Sequence, residues 1–118
     1  MNGRACLVDH DLTSRGFLRE CLEREGLEVD LLSSGFEVQT FLNGRSPKIV
    51  VLNMDTPGVR DKNLIRKIQK EGKARILLVV SERGETFLKD AMDLGVYGCI
   101  YKPFNLQEVC TMINHLVR

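Results

Sequence analysis

The chain lacks the features that would place it in a membrane or on a polyanion. No apolar run approaches the roughly 20 residues needed to span a bilayer. Lys and Arg number 17 against 16 Asp and Glu, a formal net charge of +1. Neither nucleic acid nor an anionic membrane surface is favoured by so even a balance. The opening residues, Met1-Asn2-Gly3-Arg4, hold no signal-peptide core or cleavage site before a strand-like segment begins. A cytoplasmic setting is expected. Tryptophan is absent, proline occurs three times, and there is no low-complexity tract, linker or internal repeat. A C-x-x-C pair is absent among the four cysteines, Cys6, Cys21, Cys99 and Cys110. Each falls among apolar neighbours, which describes buried, reduced thiols acting as small hydrophobes rather than a metal or disulfide framework.

What remains is an ordinary globular composition, 43% apolar and 28% charged over 118 residues. That length is one domain, able to bury a core without disulfide or metal staples. Five short apolar runs recur, at residues 5–8, 29–32, 49–52, 76–80 and 99–101. Three are continuous rather than alternating, as strands buried on both faces of a parallel sheet are. The segments between them have helical spacing. Leu18, Cys21 and Leu22 mark one stripe, with Arg15, Arg19 and Glu23 on its solvent side and Gly26 at the C′ position that favours glycine. Ser34-Gly35-Phe36-Glu37 reads as a capping box ahead of Val38, Phe41 and Leu42. Leu64, Ile65 and Ile68 form a third stripe ending at Gly72. Phe87, Leu88, Ala91, Met92 and Leu94 form a fourth, ending at Gly95. Asn105 and Glu108 cap a fifth, whose apolar side is Val109, Met112, Ile113 and Leu116. This alternation predicts an α/β domain, a doubly wound five-stranded parallel sheet with helices on both faces. Lys62, Arg66, Lys67 and Lys70 line the third helix, a solvated face balanced by Asp61 and Glu71 rather than a nucleic-acid patch.

In such a sheet the ligand crevice lies beyond the carboxyl ends of the strands, where strand order reverses. Polar residues gather there. Asp9, His10 and Asp11 follow the first strand, and Asn53 and Asp55 follow Ile49-Val50-Val51-Leu52. Ser81 ends the fourth strand, and Lys102-Pro103-Phe104 ends the fifth. Any one of these is an ordinary loop residue. Together, an acid, a hydroxyl and an amine at successive strand ends suit phosphate, since a carboxylate helps hold a cation while Ser and Lys donate to phosphoryl oxygens.

On Leu7-Val8-Asp9, Asn53 with Pro57-Gly58, Ser81 and Lys102-Pro103-Phe104, the whole chain resembles the receiver domain of response regulators in two-component signalling. The resemblance implies one receiver-like domain over residues 1–118, a flavodoxin-like (βα)5 fold, strand order 2-1-3-4-5 and a cis Lys102–Pro103 bond. Carried over by position, Asp9 matches the first acid of a Mg²⁺-binding pair, and Asp55 the position whose backbone carbonyl joins the metal. Ser81 matches the hydroxyl, and Lys102 the amine, that contact a phosphoryl group. Three positions depart from the pattern. Asn53 stands where the phosphate-accepting aspartate belongs. His10 replaces the second acid, and Cys99 replaces the strand-five aromatic whose rotation reports phosphorylation.

An amide oxygen is too poor a nucleophile to form an acyl phosphate. Mg²⁺ wants oxygen ligands, whereas imidazole suits zinc, copper or nickel. The expectation is a degenerate receiver in the phosphorelay, not an enzyme, with no cofactor and weak or absent Mg²⁺ binding at Asp9, His10, Asn53 and Asp55. Asp11 is the substitute second acid if the loop shifts by one residue. A transition-metal site at His10 with Asp9 lacks a second nitrogen or sulfur ligand. Asn53 is expected to donate to Asp9 and accept from Lys102, closing a satisfied polar network with Lys102 as the counterion of Asp9. The implied partners are proteins: a sensor kinase, an effector domain such as one for transcription regulation, or a homodimer mate. The implied surface is that of the fourth helix, fifth strand and fifth helix, residues 85–94, 99–101 and 107–117, including Lys89 and Tyr101. Tyr97, Cys99 and Tyr101 share one face at two-residue spacing. Two alternatives stand beside this reading. One is an active receiver phosphorylated at Asp9, Asp11 or Asp55. The other is a flavodoxin-like electron carrier, although Asp9-His10-Asp11 would repel a flavin phosphate. A chain that stops after its fifth helix is expected to be either a whole small protein or a piece of a longer one.

Overall fold

The computed structural model describes residues 3–81 and 86–118. Its strands are β1 (Arg4–Val8), β2 (Glu28–Leu32), β3 (Ile49–Asn53), β4 (Arg75–Val80) and β5 (Gly98–Tyr101). All pair in parallel in the order β2-β1-β3-β4-β5, the order expected from the resemblance. The helices are α1 (Leu12–Arg24), α2 (Val38–Leu42), α3 (Lys62–Lys67), α4 (Thr86–Asp93) and α5 (Leu106–Val117). A 3₁₀ turn, Gly35–Glu37, precedes α2, and a π turn, Ile68–Gly72, extends α3.

Side chains along a strand alternate between faces, and here the alternation divides the core in two. Cys6, Val8, Val50, Leu52, Ile76, Leu78 and Val80 pack with Val38, Phe41, Leu64, Ile65, Ile68 and Ala91, under α2, α3 and α4. Ala5, Leu7, Ile49, Val51, Leu77, Val79 and Ile100 pack with Leu18, Cys21, Leu22, Val109, Ile113 and Leu116, under α1 and α5. The three continuous apolar runs of the sequence include the central β3 and β4, which are buried on both sides, whereas edge strand β2 is only half-buried.

Two helices stop as their glycines require. After α1, the Gly26 N–H donates to Glu23 O and the Leu27 N–H to Leu22 O. After α4, Gly95 donates to Met92 O and Val96 to Ala91 O. Both are Schellman closures around a glycine with positive φ, 81° and 91°. The third helix ends differently: the left-handed residue is Lys73 at φ 53°, one position beyond Gly72. The Ser34–Glu37 capping box also forms differently. Ser34 makes no side-chain cap; its hydroxyl and the Ser33 N–H both donate to the Glu37 carboxylate. The backbone there is claimed from outside, because Gly35 N–H donates to Pro57 O at 2.7 Å. A Cβ on Gly35 would lie 2.2 Å from Gly58 O, so this turn must be glycine to press against the loop that follows β3.

Met92, expected to face inward, is 44% exposed; Ala91 is the buried residue of α4. Cys99 and Tyr101 share the α2–α4 side as expected, but Tyr97 precedes β5 and lies open, with the Arg75 guanidinium 5.8 Å from its ring centre. The basic edge of α3 is solvated and partly paired, Lys67 with Glu71 and Lys62 with Asp90 of α4. Asp61, expected to balance it, instead caps α3 by accepting from the Asn63 N–H.

Candidate functional site

The sheet delivers its polar residues to one end in two tiers. The inner tier is fully buried. Val8 is the last residue of β1, and Asp9 follows with no exposed surface. Its Oδ1 accepts from the Asp11 N–H at 2.8 Å, an Asx turn that bends the chain into α1. The same oxygen accepts from Asn53 Nδ2 at 2.8 Å, and Oδ2 accepts from the Ser14 hydroxyl at 2.5 Å. Asn53, equally buried at the end of β3, accepts at Oδ1 from the Asp55 N–H at 3.1 Å. Two partners of opposite polarity therefore fix which way the amide points. Among the described residues, no buried side-chain nitrogen or oxygen lacks a hydrogen-bond partner.

The outer tier is ionic and open to water. The turn after β3 is closed by Thr56 N–H donating to Asn53 O, and it carries Asp55 over the crevice. The Ser81 hydroxyl donates to Asp55 Oδ1 at 3.0 Å, and Lys102 Nζ lies 3.7 Å from Asp55 Oδ2 and 4.0 Å from Asp11 Oδ2. Lys102 is placed by β5 and by its backbone N–H, which donates to Val80 O; the Lys102–Pro103 bond is cis. Asp11 also caps α1, accepting from the Thr13 N–H at 3.0 Å.

Asp9, Asn53, Asp55, Ser81 and Lys102 thus stand at one end of the sheet, with Asp11 beside Lys102. One expected contact is corrected. Asn53 donates to Asp9, but its oxygen accepts from the Asp55 backbone and not from Lys102, whose ammonium pairs with Asp55 and Asp11 rather than with Asp9. His10 turns away from this centre. It is exposed, its N–H donates to Thr56 Oγ1, and its ring Nδ1 lies 3.2 Å from the same oxygen. Cys99 is half-buried and packs on the α2–α4 side of the sheet. Of the surface residues, Lys89 is exposed and Tyr101 half-buried; residue 85 of the expected surface lies outside the described residues.

Two members of the site escape a reading of the sequence. Ser14 is buried in the first turn of α1, four residues before Leu18 and in line with that apolar stripe. A hydroxyl within an apolar stripe is a signal for a buried polar contact. Thr56 is buried in an irregular loop and carries no periodic signal.

The Mg²⁺ implied by the resemblance requires a near-octahedral shell of oxygens. Both Asp9 oxygens face protein donors, Asn53 presents its NH₂ group to Asp9, and the nearest imidazole is held at Thr56. These residues do not fit that ion. Among the described residues, no group of three or more His, Cys, Asp or Glu is arranged to hold a metal, and no helix is long and apolar enough to cross a membrane.

Comparison with known proteins agrees with this geometry. Residues 5–114 match the model of the response regulator receiver domain. The chain is 30% identical over 113 residues to a transcriptional regulatory protein CpxR homolog of Haemophilus influenzae, covering 95% of this chain and 49% of that protein. It is 28% identical over 116 residues to the response regulator MprA of a Mycobacterium species, covering 98% and 50%. The chain thus spans about half the length of these curated relatives. Among solved structures, a CheY-like response regulator receiver domain protein from Methanospirillum hungatei superimposes with a TM-score of 0.84 at 19% identity, over 98% of this chain and 93% of the other. The signal receiver domain of a response regulator from Bermanella marisrubri gives 0.81 at 24% identity, over 98% of each. At such identities the structures speak for the fold, and the family model speaks for descent: this chain belongs to the response regulator receiver domain family.

Proposed function

We propose that this receiver domain carries no phosphoryl group and is not an enzyme, but regulates by being bound. The observation that carries the reading is the Asp55 carboxylate. It takes the Ser81 hydroxyl and faces the Lys102 ammonium, the two groups that the family pattern assigns to a phosphoryl group. An internal anion already occupies the donors that a phosphorylated acceptor would engage. Beneath it, Asn53 offers an amide with both ends committed. With acceptor, second acid and strand-five aromatic all replaced, no ligand has an evident preference for one conformer, and without differential affinity nothing shifts an equilibrium. The surface is what remains to signal with. The partners we propose are proteins of the two-component class: a sensor kinase, an effector domain of transcriptional type or a second copy. The face is that of α4, β5 and α5 around Tyr101.

Incubation with acetyl phosphate or phosphoramidate should leave the intact mass unchanged, since an attacking anion in line with phosphorus is missing. A hydroxylamine-sensitive gain of one phosphoryl group, abolished by Asp55→Asn, would overturn this and install Asp55 as the acceptor. Mg²⁺ titrated to millimolar concentration should leave the amide resonances around Asp9 unmoved. Lys89→Glu or Tyr101→Ala should weaken self-association or partner binding, while Asn53→Ala leaves binding almost intact.

A further inference from the structure

The packing of α1 on α5 contains a contact that the crevice does not use. Along one side of α1, Phe17, Cys21 and Glu25 follow one another at four-residue spacing, which is one face of a helix. Each meets a partner near α5. Phe17 stacks on Phe104, with ring centres 5.2 Å apart and planes 7° from parallel. Cys21 Sγ lies 3.6 Å from Cys110 Sγ. The carboxylate of Glu25 accepts from Asn114 Nδ2 at 2.9 Å. Two thiols from positions 89 residues apart are therefore held face to face in the middle of a fixed seam. Cys6 and Cys99 lie on the other side of the sheet.

We propose that Cys21 and Cys110 are a redox pair, oxidised by a hydroperoxide to an intrachain disulfide that staples α1 to α5. A disulfide needs sulfurs about 2.05 Å apart, so the pair must close by on the order of 1.5 Å. That is within reach of two unbranched side chains each turning about χ1. The two cysteines are unequal. Cys21 is 1% exposed, while Cys110 is half-buried and the more accessible. Burial pushes the Cys21 thiol up to about 12, with the neighbouring Cys110 adding to it, so Cys21 keeps its proton.

The order of steps follows. The Cys110 sulfur attacks a peroxide oxygen; the S–O bond forms as the O–O bond breaks, and the leaving oxygen takes up the proton that the Cys110 thiol gives up and departs as water or an alcohol. The Cys110 sulfur is now a sulfenic acid, oxidised by two electrons. The Cys21 sulfur attacks it, the S–S bond forms, the S–O bond breaks, and the departing hydroxide leaves as water with the Cys21 proton. In sum, two thiols and one hydroperoxide give one disulfide, one water and one alcohol, or two waters from hydrogen peroxide. The cross-link joins an element of the core to the helix that the family pattern uses as a binding face. It does not depend on how Asn53 is read.

The test uses the whole chain. After hydrogen peroxide, alkylation in denaturant should leave two of the four cysteines unmodified, peptide mapping should join Cys21 to Cys110, and a dithiol reductant should restore all four. The oxidised monomer should melt about 10 °C higher than the reduced one, as a cross-link closing a long loop does. Cys99→Ser should oxidise in the same way, and Cys21→Ser and Cys110→Ser should not form the bond. The proposal falls if peroxide leaves four alkylatable thiols, if mapping joins a different pair or two chains, or if Cys110 advances to sulfinic acid while Cys21 stays reduced. Mapping the natural chain decides the matter even if a serine variant fails to fold.

Discussion

The two ends of β1 solve the same problem of placing a carboxylate in opposite ways. At the amino end, Arg4 reaches across to β2, where Nε and Nη2 each donate to Asp30 at 2.9 Å and Nη1 donates to Glu28. Every charge there keeps contact with water. At the carboxyl end, Asp9 is sealed from solvent and is held by three neutral donors, from Asp11, Ser14 and Asn53. The nearby cation, Lys102, is spent on the tier above. The contrast teaches where charge matters in this fold. A solvated pair is screened and replaceable, whereas a buried carboxylate is secured only by the full set of donors aimed at it.

Unequal costs follow from this contrast. Asp9→Ala should be more damaging than any change at Asn53, Lys102 or Arg4, because it strips the acceptor from three donors and leaves a hole beneath them. A loss of about 2–4 kcal/mol in urea unfolding is expected. A loss below about 1 kcal/mol would mean that water enters and satisfies those donors, and the inner tier would be no more structural than the amino end.

Asn53→Asp sharpens the contrast by placing a second carboxylate where the amide now donates to Asp9 at 2.8 Å. Like charges at that distance raise the pKa of the pair above its unfolded value. A raised carboxyl pKa means that the folded state binds more protons, so stability falls as pH rises through that value and recovers toward acid. The variant should lose about 2–3 kcal/mol at neutral pH, regain it on acidification, and gain a dependence on Mg²⁺. A variant as stable as its parent at neutral pH without Mg²⁺ would show that this end tolerates charge after all. If the same change restored phosphorylation and altered assembly, the switch would be disabled at its acceptor alone.

The two tiers differ in how far the sequence alone reveals them. The strand positions and most of the helix stripes follow from apolar spacing, because burial on two faces leaves little choice of residue at Val50, Val51, Leu77 or Leu78. The Asn53-to-Asp9 bond is legible too, since β1 and β3 are neighbours and bring both residues to the same end of the sheet. The partner of Lys102 is not, because its position says nothing about the turn after Asn53, which lifts Asp55 into reach. Met92 departs from its stripe because Ala91, one position earlier, takes the buried place on α4. The thiol pair is not legible at all. Nothing local links Cys21 to Cys110; only the packing of α1 on α5 does.

The outer tier should behave like the amino end rather than like its buried neighbour. Lys102→Met keeps the apolar stem and removes the charge between Asp55 and Asp11. It should change stability by less than about 1 kcal/mol, and by less still in high salt. A larger loss, insensitive to salt, would show that the two tiers act as one network, which a double-mutant cycle of Lys102→Met with Asn53→Ala would measure as coupling.

The smallest effect belongs to the amino end, and pH isolates it. The hydrogen bonds from Arg4 hold the Asp30 carboxyl below its ordinary value of 3.8, outweighing the opposing effect of partial burial, with the Arg4 charge adding to them. A lowered carboxyl pKa means that the unfolded state binds more protons, so the stability this pair contributes is present above the unfolded value and disappears as pH falls through the folded one. Arg4→Ala should therefore show a small deficit in melting temperature at neutral pH that vanishes in acid below that lowered value. In the same variant, the Asp30 carboxyl resonance should titrate closer to its ordinary range. Both changes should shrink with added salt, since the Arg4 side chain is 49% exposed. A deficit that persisted unchanged in acid would assign the worth of Arg4 to the packing of its apolar stem along β2 rather than to its charge. The two ends of β1 would then differ in geometry but not in their dependence on ions.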